Sequence, residues 1–417
     1  MSELEAEVGG ERAASGSRLT AYQRKLLVFL SVASFFEGYD FFALTQILPN
    51  LRRDLGVGVA GGTALVAFIN FGTVLAYALS RQADRWGRRR VLTTTIAGYT
   101  LLTFLSGLAP NVYAFAVLQM LARVFLIAEW VTSMVIAAEE YPAARRGTIV
   151  GVVSAAAGFG SVVCAGVVPL LLHTHYGWRS VYFVGVVPLL LVAYARRGLR
   201  ETRRFETARG EPQASLWAIW SSPSRARLLL LAAIWFLTYV CTQNAVTFWK
   251  EFALAERNLS DDDVGSAVRL AALVSIPLAF AAGKLLDVIG RKPGAFLIYA
   301  ATIGGVFAAY TCHEKWALTV ALVFGVVGIN TILTVLNAFT TELFPTHFRG
   351  AAFAWSNNLL GRIGYVTSPL LIGQLVPRIG WGLTLRSTTF FPLLGLILLL
   401  AFLPETRGRE LEDTSRV

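Results

Sequence analysis

Charge is scarce in this chain. Asp, Glu, Lys and Arg make up 15% of its 417 residues, whereas a soluble domain carries about a quarter, so an ordinary water-soluble globule is excluded. Cysteine is scarcer still. Cys164, Cys241 and Cys312 lie far apart in apolar stretches; they offer neither a disulfide framework nor a metal-ligand spacing and read as small core residues. The four histidines, His173, His175, His313 and His347, all fall in connections between apolar runs. No nucleophile–base constellation accompanies them, so the chain does not read as an enzyme. A phosphate-binding glycine loop is missing too, which argues against ATP as a driving force. No metal or cofactor is expected. Residues 1–20 are polar and mixed in charge, without the apolar core of a signal peptide, and read as a flexible tail.

Apolar residues are what the chain has in plenty: 55% hydrophobic, with a mean hydropathy of +0.58. A bilayer span needs about 20 mainly apolar residues, and about twelve stretches meet that length. Their limits are 26–48, 61–80, 91–109, 113–138, 148–172 and 181–195, then 228–249, 264–283, 294–312, 316–341, 350–376 and 385–403.

The two sets of six repeat one another. Asp84, Gly87 and Arg88 return as Asp287, Gly290 and Arg291, 203 residues later. EEYPAARRG, Glu139 to Gly147, returns as ELFPTHFRG, Glu342 to Gly350, at the same offset, as does Gly177-Trp178 at Gly380-Trp381. Glu201-Thr202-Arg203 returns as Glu405-Thr406-Arg407, shifted by one. In-register self-similarity marks a duplicated unit. The expected fold is an all-α membrane protein of 12 transmembrane helices in two pseudo-symmetric six-helix bundles, residues 21–195 and 228–403. A polar linker at 196–227 joins them, and a tail follows at 404–417.

The net charge of +11 would suggest nucleic acid only if the basic residues formed one patch. They do not. Arg24, Lys25, the Arg81–Arg90 cluster, Arg145, Arg146, the linker, Lys284, Arg291, Lys292 and Arg349 fall on one side of an even-numbered bundle. Short basic loops stay in the cytoplasm, so both termini are expected there and the protein in the cell membrane. In the linker, Trp217-Ala218-Ile219-Trp220 reads as an interfacial anchor.

The Asp-Arg-x-Gly-Arg-Arg run after the second span, its echo after the eighth, and the paired E-x-(Y/F)-P-x-x-x-R-G runs resemble the major facilitator superfamily over nearly the whole chain. EGYD at Glu37–Asp40, AEW at Ala128–Trp130 and GWR at Gly177–Arg179 resemble its metabolite:proton symporters, including aromatic-acid carriers, and their sugar-porter relatives. The resemblance implies a central cavity and alternating access. It also implies a cytoplasmic gate, in which Asp84, Arg85, Gly87 and Arg88 inherit the main role. Asp287, Gly290 and Arg291 are their counterparts, and Glu139, Arg146, Glu342 and Arg349 are candidate partners. Two positions depart from the family pattern. Ser80 replaces the first glycine of the loop motif, and Ile127 and Val131 stand where relatives favour glycine.

Ionisable residues inside a span cost several kcal/mol unless they face a cavity or each other. Glu37 and Asp40 are three apart on the first span, hence on one face. Counting about 1.5 Å per residue from the membrane edge, Glu37 lies about 18 Å deep and Arg123, on the antiparallel fourth span, about 15 Å. The two are expected near the midplane. Asp40, Glu37 and Glu129 are the candidates for proton coupling. Arg123 and Arg362 are candidates for attracting an anionic substrate, with Gln243, Asn244, Asn330, Asn337, Asn357 and Asn358 as hydrogen-bonding candidates. Each has a structural alternative: a permanent Glu37–Arg123 pair, or polar contacts between helices. The repeat aligns Asp40 with Gln243, which suggests that they face each other across the cavity. Phe35, Tyr39, Trp130, Tyr239, Trp249, Trp355 and Tyr365 either line a pocket for a ring or pack the bundle.

The leading expectation is a monomeric secondary transporter that uses a proton gradient to take up a small organic acid, a carboxylate, with aromatic acids among the candidates. A sugar or polyol porter is the alternative. A drug/proton antiporter is a third, opposed by AAAGFGSVVCAG at Ala155–Gly166, which lacks the Gly-Pro pair of exporters in the resembled superfamily. A non-transporting, transporter-like receptor is the reading from another class.

Overall fold

A computed structural model describes residues 19–82, 86–141, 143–186 and 216–407. Outside them lie Asp84 and Arg85, most of the 196–227 linker, the sixth span beyond Val186, and both chain ends; the side chains of Arg146 and Asp287 also lie outside the description.

The described residues form helices and no strand. The N-terminal half contains α1 (Ala21–Asp54), α2 (Val59–Arg81), α3 (Arg88–Gly107), α4 (Val112–Glu140), α5 (Ala143–Leu172) and the start of the sixth span, α6 (Arg179–Phe183). The C-terminal half contains α7 (Arg225–Thr247), a short α8 (Trp249–Arg257), α9 (Asp261–Ile289), α10 (Arg291–Ala309) and α11 (Lys315–Glu342). It continues through α12 (Thr346–Phe353), a π-helical stretch (Ala354–Gly361), α13 (Arg362–Ser387) and α14 (Phe390–Phe402).

By length and composition, eight stretches among the described residues are apolar enough to cross a membrane, and one of these, Phe348–Phe402, is long enough for two passes. The break between those passes is a single residue, Gly380 at φ +80°, rather than the eight-residue loop, 377–384, that the hydropathy pattern suggested. Threonine-rich α3 falls outside the apolar set. In α3 the polar side chains Thr95, Thr100, Thr103 and Ser106 are buried within the bundle, where protein rather than lipid surrounds them. The amphipathic α8 was not foreseen. It buries Trp249, Phe252 and Ala253, and Arg257 from its last turn stacks over the Phe252 ring; the pattern is too short to be told from a loop.

The duplication reappears in backbone geometry. Gly87 precedes α3 at φ +96° and Gly290 precedes α10 at φ +105°, a conformation that only glycine enters freely. After each, an arginine in the first helical turn reaches the end of the next helix. Arg88 meets Glu139 at 3.1 Å and Arg291 meets Glu342 at 2.9 Å. Both pairs join neighbours inside one half. They do not tie the halves together, as a gate between bundles would.

Within the N-terminal half, α1 and α5 approach backbone to backbone. A Cβ at Gly38 would stand 1.9 Å from the Ala157 carbonyl oxygen, and one at Gly160 1.9 Å from that of Phe35. The halves meet through α2 against α13 and α5 against α9. Close contacts there, Gly373 on Thr63, Gly265 on Ala165 and Gly166 on Arg269, all lie toward the face opposite the basic loops. On that opposite face Arg52, at the end of α1, meets Glu251 of α8 at 2.7 Å. Toward the basic face the halves part, and a cavity opens between them.

Candidate functional site

Two adjoining spaces form the cavity, sharing Trp130, Leu333 and Asn337. The inner one, about 560 Å³, is walled by α1, α4 and α5 of one half and α7, α9 and α11 of the other. The second, about 640 Å³, leads from it toward the basic face past Ser80, Arg81, Thr341 and Arg349. Either would hold a small metabolite.

The C-terminal half supplies most of the polar wall. Gln243, Asn330 and Asn337 line the inner space, and Asn330 and Asn337 are solvent-accessible although they sit within a membrane-length helix. Seven residues apart, they stack two turns along one face. Asn357, Asn358 and Arg362 line the second space. The Tyr239 hydroxyl donates to Asn357 Oδ1 at 2.9 Å, which leaves the amide N–H groups of Asn357 for other partners. The Nε of Arg362 is buried with no hydrogen-bond partner among the described residues. Asn244 does not join this wall. It is fully buried and donates to Ser368 and to the Val240 carbonyl, a tie between α7 and α13.

The N-terminal half supplies the acids. Glu37 lines the inner space, and its Oε2 is buried without a hydrogen-bond partner among the described residues. Asp40 turns away: its carboxylate accepts from Thr103 Oγ1 of α3 at 3.4 Å, and it lines neither space. It therefore does not face Gln243 across the cavity, because the packing of α1 on α3 and α5 fixes a rotation that repeat alignment does not carry. Glu129 is fully buried and accepts from Ser133. Arg123 stacks over the Phe41 ring at 4.5 Å, its Nη1 without a hydrogen-bond partner among the described residues. Glu37 and Arg123 feel each other's charge but form no ion pair in this state, so the permanent pair is not what this structure holds. Of the aromatic candidates, Trp130 and Tyr239 line the cavity. Tyr39 and Trp249 are core residues, and Tyr365 stacks on Tyr239 at 6.2 Å between centroids.

On the opposite face the cavity is shut. Arg52 donates to Glu251 and to the carbonyls of Val57 and Gly58. Beside it, Lys250 pairs with Asp261 at 2.5 Å. Burial pushes Glu251 above the usual carboxylate range, against the pull of Arg52. Acidic caps secure the paired Gly-Trp turns: Asp54 accepts from Trp178 Nε1 at 2.9 Å, and Glu256 from the backbone N–H of Trp381 and Gly382. These contacts were not read from sequence, although each acid stands near the end of the first membrane helix of its half or in the helix that follows.

The family model described as "Major Facilitator Superfamily" matches residues 30–369 and again 236–416. The chain belongs to that superfamily. It is a multi-pass membrane transporter with the 12-helix fold, and the second, overlapping match starts in the C-terminal half. Among curated relatives it is similar to the probable 4-methylmuconolactone transporter of Cupriavidus pinatubonensis, 26% identical over 90% of this chain and 89% of the relative. It is also similar to the gallate transporter of Pseudomonas putida, 27% identical over 91% and 90%. Among solved structures, the inward-open xylose transporter XylE of Escherichia coli superposes with a TM-score of 0.76 at 17% identity, covering 94% of this chain and 98% of that one.

Proposed function

We propose that this major facilitator takes up a small organic acid by alternating access, driven by co-transported protons. The observation that carries the reading is the division of the cavity wall. Donor groups, Arg362 and the amides of Asn357, Asn337 and Asn330, come from one half, and the carboxyl group of Glu37 from the other. A bound carboxylate and an ionised Glu37 repel across a medium of low dielectric. Arrival of the anion therefore favours arrival of a proton, and departure of one favours departure of the other. Asp40, Glu129 and Arg123, within electrostatic reach of Glu37, are the groups through which that proton is balanced. The names of the two relatives, a muconolactone carrier and a gallate carrier, support a small organic acid.

In this reading the basic face is cytoplasmic, both termini lie there, the membrane is the cell membrane, and the state described is open inward. The amides of Gln243, Asn330 and Asn337 also suit hydroxyl groups, and this favours a sugar or polyol as the second reading. Uptake by reconstituted proteoliposomes with an acidic exterior separates the two. Benzoate, gallate or muconate should accumulate above equilibrium and leak back when a protonophore is added. Accumulation of xylose instead would support the sugar reading. Binding without flux would leave a receptor.

A further inference from the structure

The chain between the halves ends against the helical stretch that borders the cavity. Trp217 and Trp220 both pack edge-to-face with Trp355, at 5.0 and 5.1 Å between ring centroids, and Trp355 Nε1 donates to the Leu216 carbonyl at 2.9 Å. Trp355 belongs to the π-helical stretch Ala354–Gly361. Such stretches close their hydrogen bonds five residues apart, are uncommon, and recur at functional sites. Here the extra residue per turn has a direct consequence. Asn357 and Arg362 are five apart and both line the cavity, whereas five residues of α-helix would set them about 140° apart around the axis.

The π turn is gripped on its other side as well. A Cβ at Gly361 would stand 2.7 Å from Trp235 Cβ of α7, so the turn packs directly against the base of that side chain. Trp235 stacks on Tyr239 at 5.3 Å, and Tyr239 holds Asn357. Two clamps thus fix the turn, one from α7 and one from the linker. Between them they set where the Arg362 guanidinium stands and which end of Asn357 faces the cavity.

We propose that Trp355, gripped by Trp217 and Trp220, is a positioning residue for the substrate carboxylate. It holds the π turn in the register that brings Arg362 and Asn357 together as one anion-binding subsite. This rests on the organic-acid reading above. It also makes the linker part of the binding site's support: whatever releases Trp217 and Trp220 from Trp355 weakens the subsite without touching substrate.

The test compares affinities for benzoate and gallate with those for their neutral carboxamides, using the purified full chain. Wild type should prefer each carboxylate. Trp355→Ala should reduce that preference about tenfold, the scale of one charge-assisted hydrogen bond, while carboxamide affinity stays; Trp355→Phe should restore it. Arg362→Gln should remove the same preference, and Trp355→Ala added to it should cost nothing more. Trp217→Ala, at a side chain 68% exposed, supplies the arm least prone to misfolding and should show a smaller loss of the same kind. Unchanged preference in both tryptophan variants, or losses additive with Arg362→Gln, would overturn the positioning role. If wild type shows no preference for either carboxylate, the organic-acid reading fails first and this proposal with it.

Discussion

Arg52 and Glu251 are 199 positions apart in the chain and 2.7 Å apart in the structure. One belongs to each half, both side chains are largely buried, and the pair lies on the face where the cavity is closed. Taking one partner away from a buried ion pair costs about 3–5 kcal/mol, chiefly because the other is stranded. Arg52→Ala should therefore populate the state open on that face. Spin labels at Gly56 and Asn258, in loops of opposite halves on that face, should report a longer distance, and the exchanged pair R52E/E251R should partly reverse it. An unchanged distance distribution would mean that helix packing alone keeps this side shut.

Asp40 faces Thr103 and not the cavity. Asp40→Asn keeps the size and the hydrogen bond and removes the titratable proton. Proton-driven accumulation should be abolished, while exchange of labelled for unlabelled substrate persists. Accumulation at the wild-type level would show that Glu37 carries the proton with no part played by Asp40.

The α1–α5 contact has no room for a side chain. Gly38→Ala would put a methyl group 1.9 Å from a backbone oxygen, and overpacking of this kind costs about 1–3 kcal/mol. Gly304→Ala, with nothing within 4 Å of the new atom, is the control. In detergent, the first variant should melt several degrees below wild type and the second at or above it. Equal melting temperatures would show that α1 and α5 can slide apart at little cost.

Much of this architecture was legible because a duplicated sequence leaves duplicated marks. The 203-residue offset pairs Gly87 with Gly290 and Arg88 with Arg291, and the structure repeats both the positive φ and the ion pair. The candidates Glu37, Gln243, Asn330, Asn337, Asn357 and Arg362 do line one cavity, because a polar residue in a membrane helix needs water or a partner. The rotation of a helix about its axis was not legible. It decides that Asp40 and Asn244 turn away, and it depends on packing between distant segments. Nor does any local composition announce the π turn at Ala354–Gly361, which those distant contacts hold in place.

Glu405 illustrates a charge held by backbone. Partial burial pushes its carboxyl up, but N–H groups of Lys292 and Arg291, at 2.8 Å each, outweigh that and hold it below the usual carboxylate range. A carboxyl whose folded-state value is depressed stabilises above its unfolded value, and that stability is lost as pH falls through the folded one. Glu405→Gln should thus destabilise the fold at pH 7 by less than about 1 kcal/mol given its exposure, read as a slightly lower melting temperature. The difference should vanish in acid below the carboxylate range. A gap that persists there would point to shape rather than charge.

Alternation itself is tested most directly at Asn330, deep in the cavity and solvent-accessible. In a background with Cys164, Cys241 and Cys312 replaced by serine, Asn330→Cys should react with a membrane-impermeant maleimide from the basic face alone. When substrate and an acidic pH are supplied on the opposite face, reactivity should rise from that face and fall from the basic one. Labelling from the basic face under every condition, or from both faces at once, would contradict alternating access.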